Sequence, residues 1–131
     1  QRMTSQEDYD KATSQLENLR ETLDELLACG VVASKEELSG CNVTGWDVGR
    51  IVFLARACCE MGYLTEEAAW HYIGRADMLA HEACGSWREL AMSYILGRSL
   101  WGGKRAYNSV MKTTADVLLS DPKSPWVRYS W

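Results

Sequence analysis

The sequence predicts an all-α fold: a compact single-domain bundle of about five helices around a central buried helix, with an extended C-terminal tail. Its only two prolines, Pro122 and Pro125, lie within the last ten residues, so no proline interrupts a helix before them. Helix-start signals recur along the chain, and no segment alternates apolar and polar residues as a half-buried strand does. With 131 residues, the chain can bury a core without disulfides or metal ions, and we expect residues 1–131 to form one domain.

The first helix is predicted over about Ser5 to Cys29. Leucines recur there at spacings of three and four residues, and Gly30 just beyond the end is typical of a C-cap. The sequence SKEE, residues 34–37, fits a capping box, in which the serine and the acid three residues later each accept a backbone amide proton. It predicts a short helical turn before Gly40.

Similar start signals predict the next three helices. TGWD (residues 44–47) and SWRE (residues 86–89) resemble SKEE, and Thr65 precedes a pair of acids. With Gly62 as a C-cap, these signals predict three helices, over about Gly45–Met61, Glu66–Ala83 and Trp87–Trp101.

A fifth helix is predicted over about Lys104 to Ser120, after a break at Gly102 and Gly103. The proline-containing end, SDPKSPWVRYSW, is predicted to be extended. We expect this tail to dock on the bundle through two tryptophans, Trp126 and Trp131.

The second predicted helix is apolar around its whole circumference, from Val48 to Met61. A helix of this kind is normally buried on all sides, so we predict that it lies at the centre of the bundle.

Two charged residues open this apolar helix, and they define the candidate site. Asp47 lies in the first turn, where the helix dipole favours a carboxylate, and Arg50 three residues later can reach it. On the fourth helix, Tyr94 and Trp101 are predicted to mark the buried side, and Arg98 falls on that same side. A buried arginine needs a partner, and we predict that Asp47 is that partner.

The cluster has two interpretations. It is either a structural ion-pair cluster that fixes the register of the helices, or a polar pocket in which Arg50 and Arg98, with Trp46, Tyr94 and Trp101, bind an anionic or planar ligand. Gly97 would let another helix approach closely. We predict no catalytic residue, because no histidine, cysteine or second acid is placed beside Asp47 by the sequence.

The five cysteines show neither zinc-ribbon spacing nor the pattern of a disulfide framework. We expect most of them to be buried thiols. The alternative is a metal site formed by His81 and Cys84, which share a helical face, with either His71 or the pair Cys58 and Cys59. We favour the first interpretation and predict no metal and no other cofactor.

Charge and hydropathy narrow the class of partner. The net charge of −4 argues against a nucleic-acid binder, and no apolar run reaches the roughly 20 residues of a membrane span. The polar start lacks a targeting pattern, so we expect a cytoplasmic protein. Acids crowd the first helix, and they give either a solvated face or a contact face for a basic protein partner, at Glu17, Glu21, Asp24 and Glu25.

Four blocks in order resemble the bacterial domain-of-unknown-function family 1266: GWDVGRIVFLAR, GYLTEEAAWHYI, SWRELAMSYILGRSLW and the ending LLSDPKSPW. The resemblance covers about residue 16 to the C-terminus, and GVVASKEEL lacks the tryptophan often found there in the family. It implies that seven polar residues are shared, namely Asp47, Arg50, Arg56, Glu67, Ser86, Ser93 and Arg98. No activity is assigned to the family, so the resemblance bears on fold more than on function.

The function predicted first is a non-enzymatic protein-binding module, specifically an immunity-type protein that neutralises a bacterial toxin by covering its active site. The alternative is a small-ligand-binding or enzymatic domain that uses the Asp47, Arg50 and Arg98 pocket.

Overall fold

The computed structural model describes residues 5–131, which contain six α-helices, two short 3₁₀ turns and no β-strand. The helices are α1 (Gln6–Ala28), α2 (Thr44–Glu60), α3 (Glu66–Ala83), α4 (Trp87–Gly102), α5 (Asn108–Ser120) and α6 (Pro125–Arg128). The 3₁₀ turns span Glu37–Gly40 and Gly103–Ala106. The predicted all-α class is confirmed. None of the helices in this range is long and apolar enough to span a membrane.

Local caps set the starts of α3 and α4 where they were predicted. The hydroxyl of Thr65 accepts the amide of Ala68 at 3.1 Å, and that of Ser86 accepts the amide of Glu89 at 3.1 Å. The carboxylate of Glu89 accepts the amide of Gly85 at 2.7 Å, so the reciprocal bond of the predicted capping box is displaced by one residue.

The predicted cap of α2 is wrong, because Thr44 is the first helical residue and does not precede the helix. The side chain of Asn42 accepts the amide of Thr44 at 3.1 Å, and Ser93 of α4 accepts the amide of Gly45 at 2.8 Å. One loop residue and one neighbouring helix therefore satisfy the start of α2.

Helix α5 begins four residues later than predicted. Gly103 opens a 3₁₀ turn, and Tyr107 has a left-handed backbone with φ of 52°, which ends that turn before Asn108. A continuous helix cannot pass through a left-handed residue, so the predicted start at Lys104 is wrong.

The central helix is α4, not α2. Six of its residues are buried, and α4 packs against α1, α2 and α5. The main core joins Ile95 and Leu96 to Leu26 of α1 and Ala115 of α5. Helix α2 lies between α3 and α4, so its remaining side faces solvent, and Phe53 is 70% exposed there. The prediction that α2 is central is wrong because apolar residues can also lie on an exposed side of a helix, and the sequence pattern does not show which side that is.

The tail docks on the bundle as predicted, although residues 125–128 form a short helix and are not extended. Trp126 stacks on Trp87 with ring centroids 5.4 Å apart, and Trp131 stacks on His81 at 4.4 Å. The indole N–H of Trp131 also donates to the carbonyl of Cys84 at 3.0 Å.

Candidate functional site

Helices α2 and α4 cross in close contact where each carries glycine. A Cβ atom at Gly45 would lie 2.6 Å from the backbone nitrogen of Tyr94, and one at Gly97 would lie 2.4 Å from the Cβ of Trp46. These separations are shorter than side chains tolerate, so no larger residue fits without moving a helix. The close approach predicted at Gly97 is confirmed.

Trp46 lies over Gly97 and gathers the predicted aromatic and basic residues around it. Its ring centroid lies 5.3 Å from that of Tyr94, edge to face, and 5.8 Å from that of Trp101. The guanidinium carbons of Arg50 and Arg98 each lie 5.7 Å from the Trp46 centroid, within cation–π distance. We call these five residues the aromatic–arginine cluster.

Asp47 does not belong to this cluster. It is exposed, and it forms no ion pair with Arg50 or Arg98. Adjacent helical residues point about 100° apart, so Asp47 faces solvent because Trp46 occupies the α4 contact. The predicted buried ion pair is therefore wrong, and Arg98 instead donates from Nε to the carbonyl of Ala106 at 3.1 Å.

The outer side of the cluster is an exposed surface. Trp101 is 66% exposed, so its predicted place on the buried side of the fourth helix is wrong, and Arg50 is exposed as well. Phe53 lies on the same side of α2, since it follows Trp46 and Arg50 by seven and three residues. We call Arg50, Phe53 and Trp101 the outer patch. The prediction of a helix buried on all sides places Phe53 in the core, which is wrong. The spacing of Phe53 from Trp46 is the sequence signal that could have assigned Phe53 to this surface.

A polar junction behind the cluster fixes the start of α2. Ser93 donates to the side-chain oxygen of Asn42 at 2.7 Å, and the amide of Asn42 donates to the carbonyl of Ala83 at 2.9 Å. Burial raises the pKa of the neighbouring Cys84 thiol, and hydrogen bonds from Asn42 and Ser93 lower it in part. The junction ties together α2, α3 and α4, which gives Ser93 a structural role.

The four predicted acids of α1 have different environments. Glu17, Glu21 and Asp24 are exposed, whereas Glu25 is partly buried against the start of α5. Its two carboxylate oxygens accept the backbone amide of Ser109 at 3.1 Å and the side-chain amide of Asn108 at 3.3 Å. Glu25 therefore caps α5, and the prediction that it lies on an open partner face is wrong.

A buried polar network continues inward from this cap. The side-chain amide of Asn108 also donates to Ser99 at 3.2 Å, and Ser99 shares a 2.6 Å hydrogen bond with Thr22. The network joins α1, α4 and α5 at fully buried positions. No periodic pattern in the sequence predicts this network.

The candidate metal ligands have other contacts. Nδ1 of His81 lies 3.0 Å from the carbonyl of Asp77, and the His81 ring stacks on Trp131. Of the five cysteines, Cys84 is buried, Cys41 is exposed, and Cys29, Cys58 and Cys59 are partly buried, so the prediction that most of them are buried is wrong. Within residues 5–131, no three histidine, cysteine, aspartate or glutamate side chains group as metal ligands.

A family model described as "Protein of unknown function (DUF1266)" matches residues 1–131, so the match begins upstream of the region, from about residue 16, where the sequence blocks suggested it. No curated protein and no solved structure matches the chain. The whole chain matches this one description, and it therefore belongs to the DUF1266 family.

Proposed function

We propose that this chain is a non-enzymatic protein-binding module that contacts its partner through the outer patch. The observation that carries the proposal is the exposure of Phe53 (70%) and Trp101 (66%) beside an arginine held on the Trp46 ring. Large aromatic side chains and arginine dominate the binding energy of protein interfaces.

Preorganisation and charge both support this use of the patch. Trp46 is wedged over Gly97, so the ring that Arg50 contacts has little freedom to move, and less entropy is lost on binding. In the described part of the chain, no carboxylate pairs with Arg50. The proposed partner therefore presents a carboxylate opposite Arg50, next to apolar side chains that cover Phe53 and Trp101.

The experiment is differential capture from native host lysate. The wild-type chain is compared with the double variant Arg50→Ala/Trp101→Ala and with the control Arg75→Ala/Trp70→Ala. The control removes the same residue types from α3, where Trp70 is 63% exposed. A candidate partner is a protein that the wild type and the control retain and that Arg50→Ala/Trp101→Ala, which we call the patch variant, does not retain.

The partner that passes this filter is then purified and its dissociation constant measured. Loss of two central contacts is expected to weaken binding by at least about 30-fold, equivalent to roughly 2 kcal/mol. The proposal fails if no protein passes the filter, or if the purified partner binds the patch variant as tightly as the wild type.

The narrower form of this proposal is an immunity protein that neutralises a toxin. The net charge of −4 and the exposure of Glu17, Glu21 and Asp24 support it, because this charge would attract a basic partner from a distance. Coexpression with a toxin encoded beside this gene tests it: the wild type should protect cells and the patch variant should not. If the wild type gives no protection, the immunity function is rejected, and the proposal of a protein-binding module is unaffected.

A further inference from the structure

An apolar groove of about 370 Å³ lies between α2, α4, α5 and the C-terminal tail. Among residues 5–131, no charged side chain lines it, and its walls include Val48, Val52, Leu90, Tyr94, Met111 and Trp126. Its volume falls within the roughly 300–1,000 Å³ of small-molecule sites, which are also mostly apolar. A charged group buried among these walls would lack a partner, so the part of a ligand that enters must be uncharged.

The groove adjoins the aromatic–arginine cluster at Tyr94, which belongs to both. One side of the Tyr94 ring packs against Gly49 in the groove, and the Tyr94 and Trp46 rings meet edge to face. On α4, Arg98 follows Tyr94 by one turn, about 6 Å along the helix axis. Arg98 does not line the groove itself, but its guanidinium carbon lies 5.7 Å from the centroid of the Trp46 ring, and that ring contacts Tyr94. Arg98 therefore lies just beyond the end of the groove that Tyr94 forms.

Arg98 has hydrogen-bonding capacity left for a ligand. Its Nε donates to the carbonyl of Ala106 at 3.1 Å, which fixes the side chain. Its terminal nitrogens form no hydrogen bond or ion pair with any residue the structure describes. A guanidinium in this state favours a carboxylate or phosphate, which it can bind through two parallel hydrogen bonds.

We propose that this groove binds a small amphiphile: an uncharged acyl or aryl body that occupies the groove and a single carboxylate or phosphate that binds Arg98. The site is separate from the proposed protein contact, since it uses neither Arg50, Phe53 nor Trp101. Either proposal can fail while the other holds.

The test compares ten-carbon probes of different charge, each below its critical micelle concentration or, for the alcohol, below its solubility limit. Decanoate, decanol and decylamine are titrated against the full chain, with tryptophan fluorescence and calorimetry as readouts, since Trp87 and Trp126 line the groove. Decanoate is expected to bind at least about tenfold more tightly than decylamine, with decanol between them. Arg98→Gln should weaken decanoate by a similar factor and leave decanol unchanged, and Arg105→Gln should change neither.

A second variant blocks the groove from an exposed position. Thr113 and Thr114 are consecutive exposed residues of α5, and each donates its hydroxyl to the carbonyl four residues earlier. Only Thr114 lines the groove. Thr114→Phe should abolish decanoate and decanol binding, whereas Thr113→Phe should leave both unchanged; circular dichroism checks that each variant folds.

Sedimentation with vesicles containing phosphatidylglycerol distinguishes a free anionic amphiphile from an anionic membrane lipid as the ligand. Decanoate binding without sedimentation assigns the site to a free amphiphile, and Thr114-dependent sedimentation assigns it to an anionic lipid. The proposal is overturned if decanoate fails to bind, if decylamine binds equally well, or if Thr114→Phe binds decanoate like the wild type.

Discussion

Two carboxylates near helix starts, Asp47 at the crossing of α2 and α4 and Glu25 beside the start of α5, have opposite environments. Asp47 is exposed and pairs with neither nearby arginine, whereas Glu25 accepts the amide of Ser109 and the side chain of Asn108. The sequence predicted the reverse, with Asp47 buried and Glu25 on an open face. Two features explain the difference. Trp46, not Asp47, faces α4 at the first region, and the start of α2 already has its hydrogen-bond acceptors, whereas the residue before α5 provides none.

The start of α2 is satisfied by Asn42 and Ser93, so Asp47 has no amide to accept. The start of α5 follows Tyr107, whose side chain provides no cap, and Glu25 reaches it from α1. Charged groups at the first region therefore remain available for a partner, while the charge at the second region stabilises the fold.

The largest expected effect is on the helix crossing itself. Gly45→Ala places a Cβ 2.6 Å from the nitrogen of Tyr94 and 2.7 Å from the carbonyl of Leu90. Both are backbone atoms, so no side-chain rotation relieves the clash, and we expect a loss of about 3 kcal/mol or more in the free energy of unfolding. Urea denaturation measures it.

Gly74→Ala is the matched control, because its Cβ would meet nothing within 4 Å in the exposed middle of α3. It should stabilise the chain by up to about 1 kcal/mol. Equal effects of the two substitutions would show that the crossing tolerates a side chain.

The next largest effect is expected at the second region, where Glu25 caps α5. Glu25→Ala removes the acceptor for Ser109 and Asn108, and we expect a loss of about 2 kcal/mol in the free energy of unfolding. Glu21→Ala, one turn earlier on α1 and exposed, should change it by less than about 0.5 kcal/mol. If both variants unfold at the same urea concentration, Glu25 does not cap α5.

A double-mutant cycle tests the first region. Arg98→Ala should cost about 1 kcal/mol, from its contact with Trp46 and its hydrogen bond to Ala106. Its coupling to Asp47→Ala should be below about 0.3 kcal/mol, because the two side chains form no ion pair. A loss of about 3 kcal/mol in the free energy of unfolding, with strong coupling to Asp47, would instead support the predicted buried ion pair between Asp47 and Arg98.

These outcomes separate what local sequence specifies from what long-range contacts add. The starts of α3 and α4 could be predicted because Thr65 and Ser86 cap them from the adjacent residue. The start of α5 could not, since its cap comes from Glu25, 84 residues away from Ser109.

The candidate site shows the same limit. Periodicity and Gly97 brought Trp46, Tyr94 and Trp101 together correctly. The environment of Asp47 depends on whether it or Trp46 faces α4, a rotation of about 100° that the sequence pattern leaves open.

The smallest expected effect is on the open acids of α1. The triple substitution Glu17→Lys/Glu21→Lys/Asp24→Lys should leave the unfolding free energy within about 1 kcal/mol, because all three side chains are exposed. With the purified partner, it should lower the association rate at low salt and leave the dissociation rate unchanged, because the attraction of a basic partner is lost. A dissociation rate that rises as much as in the patch variant would make α1 the contact face.

The most direct test of the central claim is site-specific photocrosslinking in the native host, with p-benzoylphenylalanine placed at position 53 of α2 or at position 21 of α1. If the outer patch is the protein contact, position 53 gives a discrete crosslinked species that disappears when Arg50→Ala is added, and position 21 gives none. A discrete species from position 21, with none from position 53, would contradict the account and move the binding face to α1.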